Sequence, residues 1–281
     1  MQKLFNRILV PVDLTEKSRK AVEKAVELAK EYSCTIHLVH VTKAISIGSL
    51  SFDKQGEQQD QLRSDERQSR ARLMDLFGFL RPVLDPSIKI EYSVLKGNWN
   101  EAIVNYVNEH GVDLVLVGQG GRLFSKKEML LNPNRIATRT NVPVITVPSN
   151  RRLVKLYSIV IPVTDFLPVR KLIYGIYMGT RHATTVKLLG IENPQTSEKV
   201  RYYMRKAYQL IRDNCSLNVE LELLPGENVA ETVNHYAMTH SADLVIVNPG
   251  VQSRMPGFFS WLFGKIIQRY SAPPVLTVSP V

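Results

Sequence analysis

Short apolar runs alternate along the chain with longer stretches whose apolar residues recur at helical spacing. In the first half, "RILVPV", "TIHLVHV", "KIEYSVLK", "DLVLVG" and "VPVITV" read as strands. Between them, "SRKAVEKAVELAKEY", a segment closing on "RLMDLFGFL", "NEAIVNYVNEHG" and "RIATRT" read as helices, the third ended by Gly111. Continuous Val/Ile/Leu strands alternating with amphipathic helices predict an α/β fold with a parallel sheet covered on both faces. Ligands of such sheets bind beyond the carboxyl ends of the strands, where strand order reverses. The ends of strands one and four are therefore the places to look.

The pattern occurs twice. "RILVPVDLTEKSRKAVEKAVELA" resembles "SIVIPVTDFLPVRKLIYGIYMGT", and "GNWNEAIVNYVNEHGVDLVLVGQGG" resembles "GENVAETVNHYAMTHSADLVIVNPG". "NVPVITVPS" likewise resembles "APPVLTVSP". Pro11 matches Pro162, Asp113 matches Asp243 and Pro143 matches Pro274, so two homologous halves meet near "PSNRRLVK". The expected domains are 1–150 and 151–281. The first carries about twenty additional residues between 43 and 90, read as a polar, flexible loop followed by a longer helix.

Composition changes this picture little. At 281 residues, 44% hydrophobic and 22% charged, the chain suits two ordinary globular domains. No apolar run approaches the ~18 to 20 residues that span a bilayer. Cys34 and Cys215 stand far apart and suggest reduced thiols, and the chain enters a strand directly from its start, so a cytoplasmic protein is expected. The net charge of +10 raises nucleic acid as a partner, but Lys and Arg are scattered and no basic tract carries stacking aromatics. Nucleic-acid binding and membrane association are not expected.

Catalytic patterns are missing: no G-x-S-x-G, H-E-x-x-H, C-x-x-C or full P-loop occurs, and the histidines, including His37 and His40, lack metal-ligand spacing. Two features remain. Asp13, at the exit of strand one in "VPVDLTEKS", could accept hydrogen bonds from a ligand or cap the helix starting near Ser18. The loop "VGQGGRLFSKKEMLLNPN", with Gly118, Gly120 and Gly121, begins as a turn whose backbone N–H groups could close on an anion.

"ILVPVDLTEKSRKAVEKAVELA", "GNWNEAIVNYVNEHGVDLVLVGQGG" and "NVPVITV" together resemble the universal stress protein (UspA) family, and both halves share the likeness. The resemblance implies the adenine-nucleotide-alpha-hydrolase-like fold, with five parallel strands per domain and pairing of domains through their last strands, "VPVITV" and "PPVLTV". It also implies an ATP loop of pattern G-x2-G-x9-G-[S/T], with the ends of strands one and two holding the adenosine. Those positions carry over as Pro11, Val12, Asp13, Val41, Gly118 and Gly121. The pattern then breaks, because Leu131 and Asn132 stand where Gly and Ser/Thr belong. Asn132 keeps a polar side chain, Pro133 removes an N–H, and the pair makes a good helix start. Lys126, Lys127 and Arg135 could attract an anion or form a solvated basic loop.

The second half departs further. Thr164 replaces the aspartate, with Asp165 next to it, and Asn248 and Val251 replace the glycines, with Pro249 between them. Phe258, Phe259, Trp261 and Phe263 fill the vacated site or cover the sheet edge, or else form an exposed patch for a partner. No nucleotide is expected there. The reading is a non-enzymatic tandem universal stress protein acting through contacts with unidentified proteins. Its first domain would bind ATP or AMP weakly or not at all, its halves would pair within the chain, and a homodimer of such chains is compatible. The alternative is an ATP- or AMP-binding stress sensor that uses the first domain.

Overall fold

The structure, a computed structural model, describes residues 3–42, 55–80, 88–119, 131–250 and 272–280. By contacts the chain divides into two compact units, Met1–Asn132 and Pro133–Val281.

The first unit contains β1 (Arg7–Pro11), α1 (Glu16–Tyr32), β2 (Thr35–Thr42), α2 (Gln55–Leu80), β3 (Ile90–Lys96), α3 (Trp99–Glu109) and β4 (Leu114–Gly118). Its strands lie in the order β3-β2-β1-β4, and the pairs are parallel, with Ile8 opposite both Ile36 and Leu114. Strand order reverses between β1 and β4, as the sequence pattern requires for a ligand crevice. Ile8, Leu9, Val10, Val39 and Leu114 to Val117 are fully buried, which is why these runs show no polar alternation. α1 buries Ala21, Val22, Ala25, Leu28 and Ala29 on one stripe. α2 reaches back to Gln55, into the polar stretch read as loop; Gln, Glu and Arg are good helix formers even without an apolar face.

The second unit contains α4 (Pro133–Thr140), β5 (Val144–Val147), β6 (Ser158–Val163), α5 (Val169–Gly179), β7 (Thr185–Glu192), α6 (Ser197–Asn214), β8 (Asn218–Pro225), α7 (Val229–Thr239), β9 (Leu244–Val247) and β10 (Val275–Thr277). β10, β9, β6, β7 and β8 run in that order as parallel neighbours. β5 joins them by pairing antiparallel with β10, Ile145 opposite Leu276. These are the two terminal strands expected to meet. α4 and β5 close the first repeat by sequence but group with the second by contact for this reason. Cys34 and Cys215 are free thiols.

The two halves reuse the same local devices. Asn98 and Asn228 cap α3 and α7 through their side chains, and each helix then stacks a tyrosine on a histidine, Tyr106 on His110 and Tyr236 on His240. Asp113 accepts the backbone N–H groups of Asn6 and Arg7, so it ties the start of β1 to that of β4. Asp243 does the same for Tyr157 and Ser158 at the start of β6. Because the alanine variant strands two amides at a strand entry, Asp243→Ala is expected to lower the unfolding free energy by about 2 kcal/mol in urea titrations. An unchanged midpoint would show that water replaces the carboxylate at no cost.

Candidate functional site

β1 carries the chain to Pro11, and Val12 N–H continues the ladder by donating to Val39 O at 2.9 Å. The register next brings Val41 N–H towards the Val12 carbonyl. That carbonyl accepts a hydrogen bond from His40 Nδ1 at 2.7 Å. A carbonyl can only accept, so Nδ1 carries the proton in this contact. Along β2 the odd-numbered residues direct their backbone groups to the β1 side, as Val39 does. Val41, buried at 3% exposure and opposite Leu95 on β3, therefore turns its N–H and C=O into the crevice where β1 has ended.

Beyond Val12 the chain bends sharply. Leu14 adopts φ 60, and Thr15 caps α1 in a reciprocal capping box with Ser18. Asp13, 7% exposed, accepts Thr15 N–H at 3.1 Å and Thr15 Oγ1–H at 2.5 Å. The aspartate is thus not the cap itself but the brace of the cap, and it stands at the crevice. Sequence alone left both roles open.

His40 is held against Trp99, the first residue of α3, ring centroids 5.6 Å apart and nearly perpendicular. Burial pulls its pKa below 6.5, against the opposing pull of the Val12 carbonyl and the Asp13 carboxylate. As pH falls, the unfolded chain takes up this proton first, so His40 costs stability below about pH 6.5. Trp99 gives a direct readout, because a protonated imidazole beside an indole quenches its fluorescence. In a Trp261→Phe background the quenching midpoint is expected below 6.5; a midpoint above it would mean the ring is held charged.

The phosphate side of the crevice is built differently. Gly118 ends β4 half-buried, whereas Gly120, Gly121, Lys126 and Lys127 lie outside the described residues. Leu131 is fully buried. Asn132 N–H donates to the side-chain oxygen of Asn100 on α3 at 2.7 Å. Pro133 opens α4, as a proline at a first helical position does, and Arg135 is exposed on that helix. Of the backbone groups that a Gly-Ser/Thr sequence would offer to a phosphate here, one N–H is consumed and the next is missing. The Leu131 side chain occupies the core where glycine would leave room.

The equivalent crevice in the second unit has changed its chemistry. Thr164 holds the aspartate position at the end of β6, and Asn248, at the end of β9, donates through Nδ2 to Val278 O at 2.9 Å. Val251 and the aromatics Phe258, Phe259, Trp261 and Phe263 lie outside the described residues. α5 begins after Pro168 with no side-chain cap, and its Lys171 is 3% exposed. Lys171 Nζ donates to Pro162 O at 2.6 Å. The residue escaped sequence analysis because its counterpart in the first half, Lys20, is an ordinary exposed helix lysine. Asn100 was missed too, though its counterpart Ala230 marks a difference between the halves.

Among the described residues no group of three or more metal-ligating side chains comes together, and no helix is long and apolar enough to cross a membrane.

Residues 4–148 match the profile of the universal stress protein family. The universal stress protein YxiE of Bacillus subtilis strain 168 is 25% identical over 150 residues, which cover 51% of this chain and 99% of that protein. Universal stress protein A of Escherichia coli strain K12 is 24% identical over 148 residues, covering 51% of this chain and 94% of its own. Among solved structures, a universal stress protein from Archaeoglobus fulgidus superposes over 98% of both chains with a TM-score of 0.62 at 16% identity, a likeness of fold. With the matched profile spanning more than half of its length, the chain belongs to the universal stress protein family.

Proposed function

We propose that the protein is a tandem universal stress protein, with domains 1–150 and 151–281. In this reading it is cytoplasmic, non-enzymatic and acts in stress adaptation through contacts with other proteins, and its first domain binds nucleotide weakly or not at all. The repeated Asn caps, Tyr–His stacks and strand-entry aspartates support the tandem assignment. The observation that carries the loss of nucleotide grip is the pair at the loop's end. Leu131 is fully buried, and the neighbouring Asn132 N–H is committed to Asn100. A phosphate would have to displace a core side chain and break a half-buried hydrogen bond to reach this backbone. Thermal melting tests the reading. With about 5 mM ATP and Mg²⁺ no shift is expected, whereas ligand at ~100 times its dissociation constant adds ~2.7 kcal/mol of stability.

A second reading, an adenine-nucleotide sensor, draws on the other side of the crevice. By strand register Val41 turns its backbone N–H and C=O into the crevice after β1, and Asp13 follows the end of that strand; these are the two positions that the family resemblance assigns to adenosine. The two readings separate on phosphate dependence. A sensor gripping only adenosine gives equal melting shifts with AMP and ATP, and a bare scaffold gives none with either.

A further inference from the structure

We infer that the second unit binds a small carboxylate with an apolar body, in the open cavity between the end of β6 and the start of α7, with the Lys171 ammonium as its counter-ion. The cavity measures about 380 Å³ and is lined by Pro162, Thr164, Phe166, Lys171, Val229 and Asn248, together with Pro280. Lys171 is buried, yet among the described residues its only hydrogen-bond partner is Pro162 O, and no carboxylate pairs with it. An ammonium has three donors, so two remain to be satisfied where it lines the cavity. Buried charges are ordinarily paired, and one that meets no carboxylate among the described residues while lining a cavity is a binding point for an anion. Burial pulls this lysine down to about 7, which a bound anion would reverse.

The walls select the kind of anion. Pro162, Phe166, Val229 and Pro280 are apolar, and the Phe166 ring centroid lies 5.8 Å from Nζ. A second cation is not supplied by the neighbouring Arg170, whose guanidinium is committed to the carbonyls of Ser279 and Asn141. Pro249 has no N–H to give. Among the described residues, one positive charge, the Thr164 hydroxyl, the Asn248 amide and apolar walls suit a monoanion on a hydrocarbon or aromatic body, and poorly suit a polyphosphate.

Benzoate is the probe, with benzamide as its neutral counterpart and inorganic phosphate as an anion without an apolar body. In melting experiments on the full chain, benzoate at about ten times its dissociation constant should raise Tm by about 3 °C. Benzamide and phosphate should leave Tm unchanged. Lys171→Met should abolish the benzoate shift by removing the charge at nearly constant volume. Val229→Trp should abolish it by filling the cavity while leaving Lys171 in place. No shift with benzoate up to about 10 mM overturns the inference. So does a shift of equal size in Lys171→Met, or one that benzamide or phosphate reproduces. None of these outcomes bears on ATP binding by the first domain, which is read by the ATP and AMP melts.

Discussion

Lys171→Met is expected to stabilise the protein by about 3 kcal/mol at pH 6, and the gain should fade as pH rises from about 7 towards 10.5. The sign follows from proton counting. The folded chain holds the Lys171 proton only up to about pH 7, because the side chain is buried, whereas the unfolded chain holds it to about 10.5. Between those values the unfolded state binds more protons, so wild-type stability climbs with pH. Below pH 7 both states are charged and the full cost of burying an ammonium is present. Methionine fills a similar volume without charge and loses the bond to Pro162 O, worth about 1 kcal/mol, and the ammonium's contact with the Phe166 ring. Urea titrations of both proteins at several pH values measure the difference directly. A gain independent of pH would place the stabilisation in packing. A loss at pH 6 would mean that the ammonium is paired in solution.

That such a lysine went unseen in the sequence has a physical reason. "VRKLIYG" carries an Arg-Lys pair in the first turn of an amphipathic helix, a place where long cations normally reach water. Whether Lys171 does so depends on how α5 sits over the Pro162 carbonyl, and no local pattern encodes that. Asn100 was hidden for the same cause, since its bond to Asn132 joins residues far apart in the chain. The legible features were those written in short-range chemistry. Strand runs, the proline opening α4 and the matched Asp113 and Asp243 can all be read from neighbours or from the second copy. The terminal strands β5 and β10 met as the family likeness implied, antiparallel at Ile145 and Leu276. Asp13 stood between these classes: its place at the end of β1 was readable, while its bond to the Thr15 hydroxyl was not.

Leu131 should be costly to change, and the cost explains why the phosphate half of the crevice would be hard to regain. Truncation to alanine at a fully buried site removes a methine and two methyl groups and leaves a cavity, so Leu131→Ala is expected to lose about 3 kcal/mol. Leu131→Gly adds backbone freedom in the unfolded chain and should cost about 1 kcal/mol more. The double variant Leu131→Gly/Asn132→Ser would reinstate the loop's consensus but not its function. Asn100 would still accept the N–H of residue 132, and Pro133 would still lack one. Releasing that N–H requires a third change, Asn100→Ala, which supplies the residue already present at the matching position, Ala230, in the second half. The expected order is therefore no ATP-dependent melting shift in the double variant and a measurable one in the triple variant, both on a protein less stable than wild type. A shift already present in the double variant would identify the Leu131 side chain alone as the barrier. Its absence in the triple variant would assign the barrier to the missing amide of Pro133, because that is the one donor the three substitutions leave unrestored.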